Sequence, residues 1–257
     1  MREAVEQETV LYERRGAVAF ISLNRPEKLN AQNRAMTQEL LSALRRAEAD
    51  PGVTSIILGG EGRAFCAGHD LSEATLPSTL EEHIADVEVL QEITATIVKM
   101  GKPVIAAVHG YAIGAGCEWA MNCDMIIAAE GTRFGFPETS LGSAVSNGGT
   151  KILPLLIGLL RAKEMILLNR VIDADLALNW GLVNRVVPPE SLRAEATAVA
   201  EKIGLSPALA NRLAKSAINQ ALHLDIGQAL RMELNDMVIT SLTGEFGPRG
   251  GDRPDKA

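Results

Sequence analysis

The chain has 257 residues, 47% hydrophobic and 22% charged, ordinary globular proportions that suit one large core with an appendage. Its formal net charge of −7 argues against a general nucleic-acid or anionic-membrane surface, because a negative field concentrates neither. No apolar run approaches the roughly 20 residues that span a bilayer, and the opening MREAVEQETV is too acidic and polar for a signal peptide, so a cytoplasmic location is expected.

Residues 9–12 and 17–23 read as a β-hairpin around the polar turn Glu13-Arg14-Arg15-Gly16, with β-formers at Val18, Phe20 and Ile21. After Pro26, the residues Met36, Leu40, Leu41 and Leu44 recur at helical spacing and stop before Asp50-Pro51-Gly52. Residues 53–58 form a short buried-strand run that ends in Gly59-Gly60 and a loop through Gly68. Ser78, followed three residues on by Glu81, signals the next helix, with Leu80, Ile84, Val87, Leu90 and Ile97 along one face. Residues 103–108 are apolar on both faces, as a covered parallel strand is. A Gly-rich loop leads from there into a helix, and residues 125–129 read as strand again, a βαβ-type alternation. From Gly149 onward helices dominate: residues 191–203, 207–222 and 226–242 are amphipathic, and only 182–187 is strand-like. The tail from Gly244 to Ala257, rich in Gly, Pro and charge, is expected to lack order unless a ligand or neighbouring subunit holds it. The chain divides into a core domain, residues 1–195, and a C-terminal helical region with its tail, residues 196–257.

Two Gly-rich loops follow buried strands: Phe65-Cys-Ala-Gly-His-Asp70 and Gly114-Ala-Gly-Cys-Glu118. Each can offer a free backbone N–H, and two such donors converging on one carbonyl make an oxyanion hole, the second assisted by a helix N-terminus. The same glycines also suit plain tight turns, and the residues alone leave both readings open. Glu118 lies three positions after Ala115 and projects on the same side of a helix. Glu138, following a strand and Pro137, is either a solvated loop residue or a poised acid/base. Cys66, Cys117 and Cys123 lack paired spacing and read as reduced, packed thiols. His83, His109 and His223 have no ligand spacing, so no metal site is expected, and Trp119 and Trp180 read as core. The glycines of 110–116 are spaced wrongly for a dinucleotide fingerprint. Local basic groups for an anionic ligand are Arg25, Lys28 and Arg63, with Arg249, Arg253 and Lys256 at the end.

Four blocks in order, Leu23-Asn-Arg-Pro-Glu-Lys-Leu-Asn-Ala31, Arg63-Ala-Phe-Cys-Ala-Gly-His-Asp-Leu71, the run from Lys102 to Glu118, and Phe134-Gly-Phe-Pro-Glu138, resemble the signature segments of the crotonase (enoyl-CoA hydratase/isomerase) superfamily. The likeness runs from about residue 10 to about 240. It implies an α/β fold of repeated ββα units wound into a superhelix with a C-terminal helical region, assembled as a homotrimer or homohexamer. It implies a lyase that adds water reversibly to a 2-enoyl-CoA and gives a 3-hydroxyacyl-CoA through an enolate, with no cofactor beyond the substrate's coenzyme A. The amides of His69 and Ala115 would form the oxyanion hole. Glu118 and Glu138 fall on the two family carboxylates, one acting on water and one exchanging a proton at the α-carbon. Coenzyme A would contact Arg25, Lys28, Leu29, Ala64, Cys66, Ala67 and Asp70, and the His69 imidazole carries no acid/base role. The same resemblance admits other enolate reactions (double-bond isomerisation, C–C cleavage, thioester hydrolysis) and an RNA-binding relative, against which the acidic balance speaks. Ala144-Val-Ser-Asn-Gly-Gly149 departs from the family's Ile-Pro-Gly-Ala-Gly-Gly-like segment, Ala115 stands where a glycine is usual, and the tail lacks an aromatic and basic last helix.

Overall fold

The computed structural model describes residues 8–72 and 79–243. The first strands, β1 (Val10–Arg15) and β2 (Val18–Leu23), form the expected hairpin. Its turn is tighter than the sequence suggests: Arg15 pairs with Val18, leaving Gly16, at φ 58°, and Ala17 as the connection. Glu13, Arg14 and Arg15 belong to β1 because an edge strand tolerates charge on its open side. α1 (Arg34–Ala49) is capped by Asn33, whose side chain accepts from the Met36 N–H. β3 (Ser55–Gly60) and α2 (Leu80–Lys99) follow. The α2 cap is Thr79, which accepts from Glu82 N–H, one residue later than the expected Ser78, which lies outside the described residues. Then come β4 (Val104–Val108), β5 (Tyr111–Ile113), α3 (Ala115–Asn122), β6 (Met125–Ala129) and β7 (Arg133–Gly135). The chain continues through α4 (Gly149–Ile157), α5 (Leu159–Leu167), β8 (Ile172–Asp173), α6 (Ala174–Trp180) and β9 (Arg185–Val187). It closes with α7 (Leu192–Gly204), α8 (Ala208–Ala221) and α9 (Ile226–Leu242). Of the strand-like stretch 182–187 only its second half is strand, while Leu182 and Val183 pack into the core.

The large sheet runs β1-β2-β3-β4-β6-β9, parallel except for the first pair, and β5-β7-β8 form a small second sheet. In the turns β4-β5-α3 and β6-β7-α4 the chain adds a strand to each sheet before a helix returns, the repeated ββα winding; in the next turn α6 comes between β8 of the small sheet and β9 of the large one. Alternate strand residues face opposite sides of the large sheet. Ile21, Ile56, Leu58, Ala106 and Val108 meet α1, α2 and α3; Phe20, Ile57, Ile105 and Ile127 meet Leu192, Ala196 and Val199 of α7. Residue 195, where the sequence reading places its boundary, lies within α7, which packs on the large sheet.

α8 is tied to the core by a buried lysine. Lys215 Nζ donates to Ile97 O at 2.8 Å and Lys102 O at 3.1 Å, and pairs with Asp124 Oδ2 at 2.7 Å. α9 packs on α8 and buries none of its residues. Among the described residues no helix is long and apolar enough to cross a membrane.

Candidate active site

The two Gly-rich loops meet where β3 and β4 end. A parallel bridge joins Cys66 to Ala112: Cys66 N–H donates to Tyr111 O at 2.9 Å and Ile113 N–H to Cys66 O at 3.0 Å. A second bridge joins Gln32 to His69 through Gln32 N–H to Gly68 O, 2.7 Å, and Asp70 N–H to Gln32 O, 2.8 Å. A parallel bridge of this kind uses the neighbours of His69 and leaves its own N–H pointing away. Ala115 is the first residue of α3, so its N–H has no carbonyl one turn earlier in the helix. Among the described residues neither amide has an acceptor.

Gly114, at φ 52°, is where these pieces converge. A Cβ there would lie 2.8 Å from Glu138 Oε1 and 3.8 Å from Gly68 Cα, so the absent side chain makes room for the carboxylate. The Gly114 carbonyl accepts the Glu118 N–H at 2.9 Å, which opens α3 and turns Glu118 into the interior. Glu118 is 2% exposed. Its Oε1 accepts from Asn147 N–H at 2.8 Å and its Oε2 from Asn147 Nδ2 at 2.9 Å. Burial pushes the Glu118 pKa up, and the Asn147 donors pull against it. Glu138, at the head of a short 3-10 turn, is half-buried, and its Oε2 is enclosed without a partner among the described residues. Burial lifts its pKa to about 7, the nearby Glu118 charge adding to the rise.

The His69 ring is fixed from behind. Thr37 Oγ donates to Asn33 O at 2.9 Å, so it accepts from Gln32 Nε2 at 2.7 Å; that turns Gln32 Oε1 to His69 Nδ1, 2.7 Å away. Nδ1 therefore carries a proton. His69 and Gln32 border a cavity of about 140 Å³ floored by Ala85, Val89 and Leu90 of α2.

The residues expected to hold coenzyme A lie together but differ in what they offer. Lys28 is exposed, its Nζ 3.0 Å from Ser72 Oγ; Arg63 is exposed nearby, where Pro26 abuts Gly62. Arg25 is instead turned inward, 8% exposed, paired with Asp70 at 3.0 Å and donating to Ala31 O at 2.7 Å. A cation this enclosed needs its anion, and Ser72 and Arg25 hold Asp70 down at about 2. The Cys66 N–H and carbonyl are consumed by the bridge, and Ala64 O accepts from Asn30 Nδ2 at 2.7 Å. Ala67 N–H donates to Leu29 O at 3.0 Å. All three cysteines are buried free thiols, Cys66 pushed up to about 12 by desolvation. Arg249, Arg253 and Lys256 lie outside the described residues.

Residues 13–245 match the family model described as Enoyl-CoA hydratase/isomerase. The chain belongs to the enoyl-CoA hydratase/isomerase family. It is 42% identical over 226 residues to a probable enoyl-CoA hydratase of Rhizobium meliloti, covering 88% of this chain and 87% of that one. It is 40% identical to the short-chain-enoyl-CoA hydratase of Clostridium acetobutylicum, over 89% and 88% of the two chains. The crystal structure of an enoyl-CoA hydratase from Mycobacterium smegmatis superposes with a TM-score of 0.87 at 32% identity, covering 92% of each chain. The structure brings the two sequence-predicted loops and Glu138 together at Gly114, with Glu118 close enough for its charge to act on Glu138. Sequence reasoning missed Asn147, Gln32 and Thr37, because a hydrogen-bond partner distant in the chain leaves no periodic trace; the unusual 144–149 segment was the one available signal.

Proposed function

We propose that this chain is an enoyl-CoA hydratase that adds water across the double bond of a 2-enoyl-CoA. The observation that carries the reading is the convergence at Gly114 of two unengaged amides, His69 and Ala115, with two carboxyl groups of raised proton affinity. The thioester oxygen sits between the amides and takes the negative charge that develops as water adds to the β-carbon. Glu118 accepts the proton the water loses, and protonated Glu138 gives its proton to the α-carbon. The product is a 3-hydroxyacyl-CoA, and the one proton of the carboxyl pair has moved between its members. Two neighbouring carboxylates do not both ionise readily in a shielded site, which keeps that proton in place near neutral pH.

Coenzyme A lies along residues 28–29 and 63–67, with Lys28 and Arg63 as the exposed cations toward its phosphates and the Arg25–Asp70 pair holding the loop beneath. The working form is a homotrimer or homohexamer in which a neighbouring copy covers the exposed Leu230, Leu234, Met237 and Val238 of α9. Sedimentation of the purified chain tests this, and a monomer at micromolar concentration overturns it. For the reaction, the purified protein is added to crotonyl-CoA, a medium-chain and an aromatic enoyl-CoA. Loss of the conjugated thioester absorbance, with the 3-hydroxyacyl-CoA found by mass, is the expected result. Unchanged absorbance with all three substrates overturns the reading.

A further inference from the structure

The carboxylate of Glu118 is held from outside its own helix by the 146–149 segment, where Asn147 alone supplies both a backbone and a side-chain donor while Ser146 and Gly149 add backbone donors. An ionised carboxyl group accepts hydrogen bonds and donates none, so the Asn147 side chain must present its NH₂ to Oε2, as it does at 2.9 Å. The Asn147 N–H takes Oε1 at 2.8 Å, and the pair of donors fixes both the position and the plane of the carboxylate. Asn147 is itself held: its carbonyl accepts from Asn122 Nδ2 at 2.8 Å, at the end of α3, and from Thr94 Oγ at 3.2 Å on α2. Asn122 Nδ2 also donates to Thr94 Oγ at 3.0 Å. Asn147 is 2% exposed, and its Oδ1 has no partner among the described residues. Leaving a buried acceptor unpaired is costly, and the charge-assisted bond made by the other end of the same amide is what offsets it. The segment closes over Glu118 so tightly that a Cβ at Gly149 would lie 2.9 Å from Oε1.

We propose that Asn147 is a positioning residue for Glu118, holding its carboxylate as a fixed, ionised acceptor through the linked chain Thr94, Asn122, Asn147, Glu118. The consequence is a division between the two carboxyl groups: Glu118 keeps its place and charge while Glu138, with one oxygen unpartnered, carries the mobile proton. Of the groups around Glu118, Thr94, Asn122 and the 146–149 backbone are uncharged; Glu138 and the Cys117 thiol are the titratable neighbours. In the sequence, residue 147 stands out only as part of the segment 144–149 that departs from the family pattern, whereas its contacts tie it to Glu118.

The inference rests on the proposed hydratase reading for its kinetic arm, so the test carries a second arm that needs no turnover. Asn147→Ala, Asn147→Ser and the near-isosteric Asn147→Asp are prepared in the full chain. In the first arm, Asn147→Ala lowers kcat for crotonyl-CoA hydration roughly ten- to a hundredfold, on the scale of one lost bond to a charged group, with KM within about twofold. Asn147→Ser, which keeps a short donor, recovers part of the loss. In the second arm, carboxyl carbons of ¹³C-labelled glutamate are titrated by NMR in the free protein, the Glu118 signal being the one that Glu118→Gln removes. Its ionisation moves to higher pH in Asn147→Ala and further in Asn147→Asp. A Glu118 titration and a kcat–pH profile in Asn147→Ala that both superimpose on wild type overturn the proposal. If wild type hydrates none of the enoyl-CoA substrates, the hydratase reading fails while the titration still decides the role of Asn147.

Discussion

The two sides of the site carry the same residue type in opposite settings. On the α3 side, Glu118 is enclosed and both of its oxygens are occupied by Asn147. On the far side, Glu138 sits on a 3-10 turn with one oxygen unpartnered among the described residues and its pKa lifted to about 7. Burial raises both pKa values; donors to the charged form oppose the rise at both, from Asn147, Gly149 and Ser146 at Glu118 but from only its own backbone N–H at Glu138. On the proposed mechanism the contrast is how one fold would set a base and an acid from two glutamates: one given many hydrogen-bond donors, the other few.

The largest effects should come from neutralising each side. Glu118→Gln and Glu138→Gln should each lower hydration kcat by roughly 10²–10⁴, the usual scale of acid/base assistance, and wild-type turnover in either variant breaks the comparison outright. Next, Gly114→Ala forces a side chain into a positive-φ position and sets a methyl 2.8 Å from Glu138 Oε1. Turnover should drop at least roughly tenfold, with about 1–3 kcal/mol of backbone strain read by denaturant unfolding.

A third effect is in pH. On the proposed mechanism the active free enzyme carries one proton on the carboxyl pair, and hydration and dehydration start from forms with the same proton count. kcat/KM in both directions should therefore share one profile that falls as pH rises through about 7, where Glu138 ionises. Profiles that differ between directions, or stay flat to pH 9, remove Glu138 as the proton carrier.

The smallest effect is on stability. Glu138 rises from an ordinary 4.5 to about 7 on folding, so the native state binds the extra proton between those values and loses stability as pH climbs through them. Glu138→Gln should then raise Tm by about 2 °C at pH 8 and by nothing at pH 4, a gain kept small by the site's opening to solvent. Glu118→Gln should instead lower Tm at both pH values, because its new NH₂ faces Asn147 donors. Equal shifts for the two variants would remove the distinction between the sides.

Much of this arrangement is legible in the chain. The run at 103–108, apolar on both faces, gives away a covered parallel strand, and β4 is buried along its length. Met36, Leu40 and Leu44 mark the inner face of α1 with its end at Asp50, and the two glycine-rich loops mark where backbone approaches backbone. The failures share a cause. The polar turn at 13–16 gave way to an edge strand because sheet pairing outweighs local polarity. That Arg25, one of the basic groups named for an anionic ligand, is buried could not be read either, because its partner Asp70 is 45 residues away in sequence. Which surface α7 covers is likewise not written in its helical pattern.

The sequence by itself determined the main strands of the large sheet, the long helices and the family, since these follow from periodicity and ordered local motifs written in contiguous residues; the short strands β5, β7 and β8 of the second sheet left no such trace, and the two carboxylates and two amides were singled out only through the family resemblance. Tertiary structure alone decided which glutamate is held and which is left unpartnered, that Asn147 does the holding, that Arg25 faces inward, and how α8 is fastened by Lys215. Each of those depends on a donor and an acceptor brought together from distant parts of the chain. Desolvation and hydrogen-bond geometry are properties of that meeting, and neither residue carries them alone.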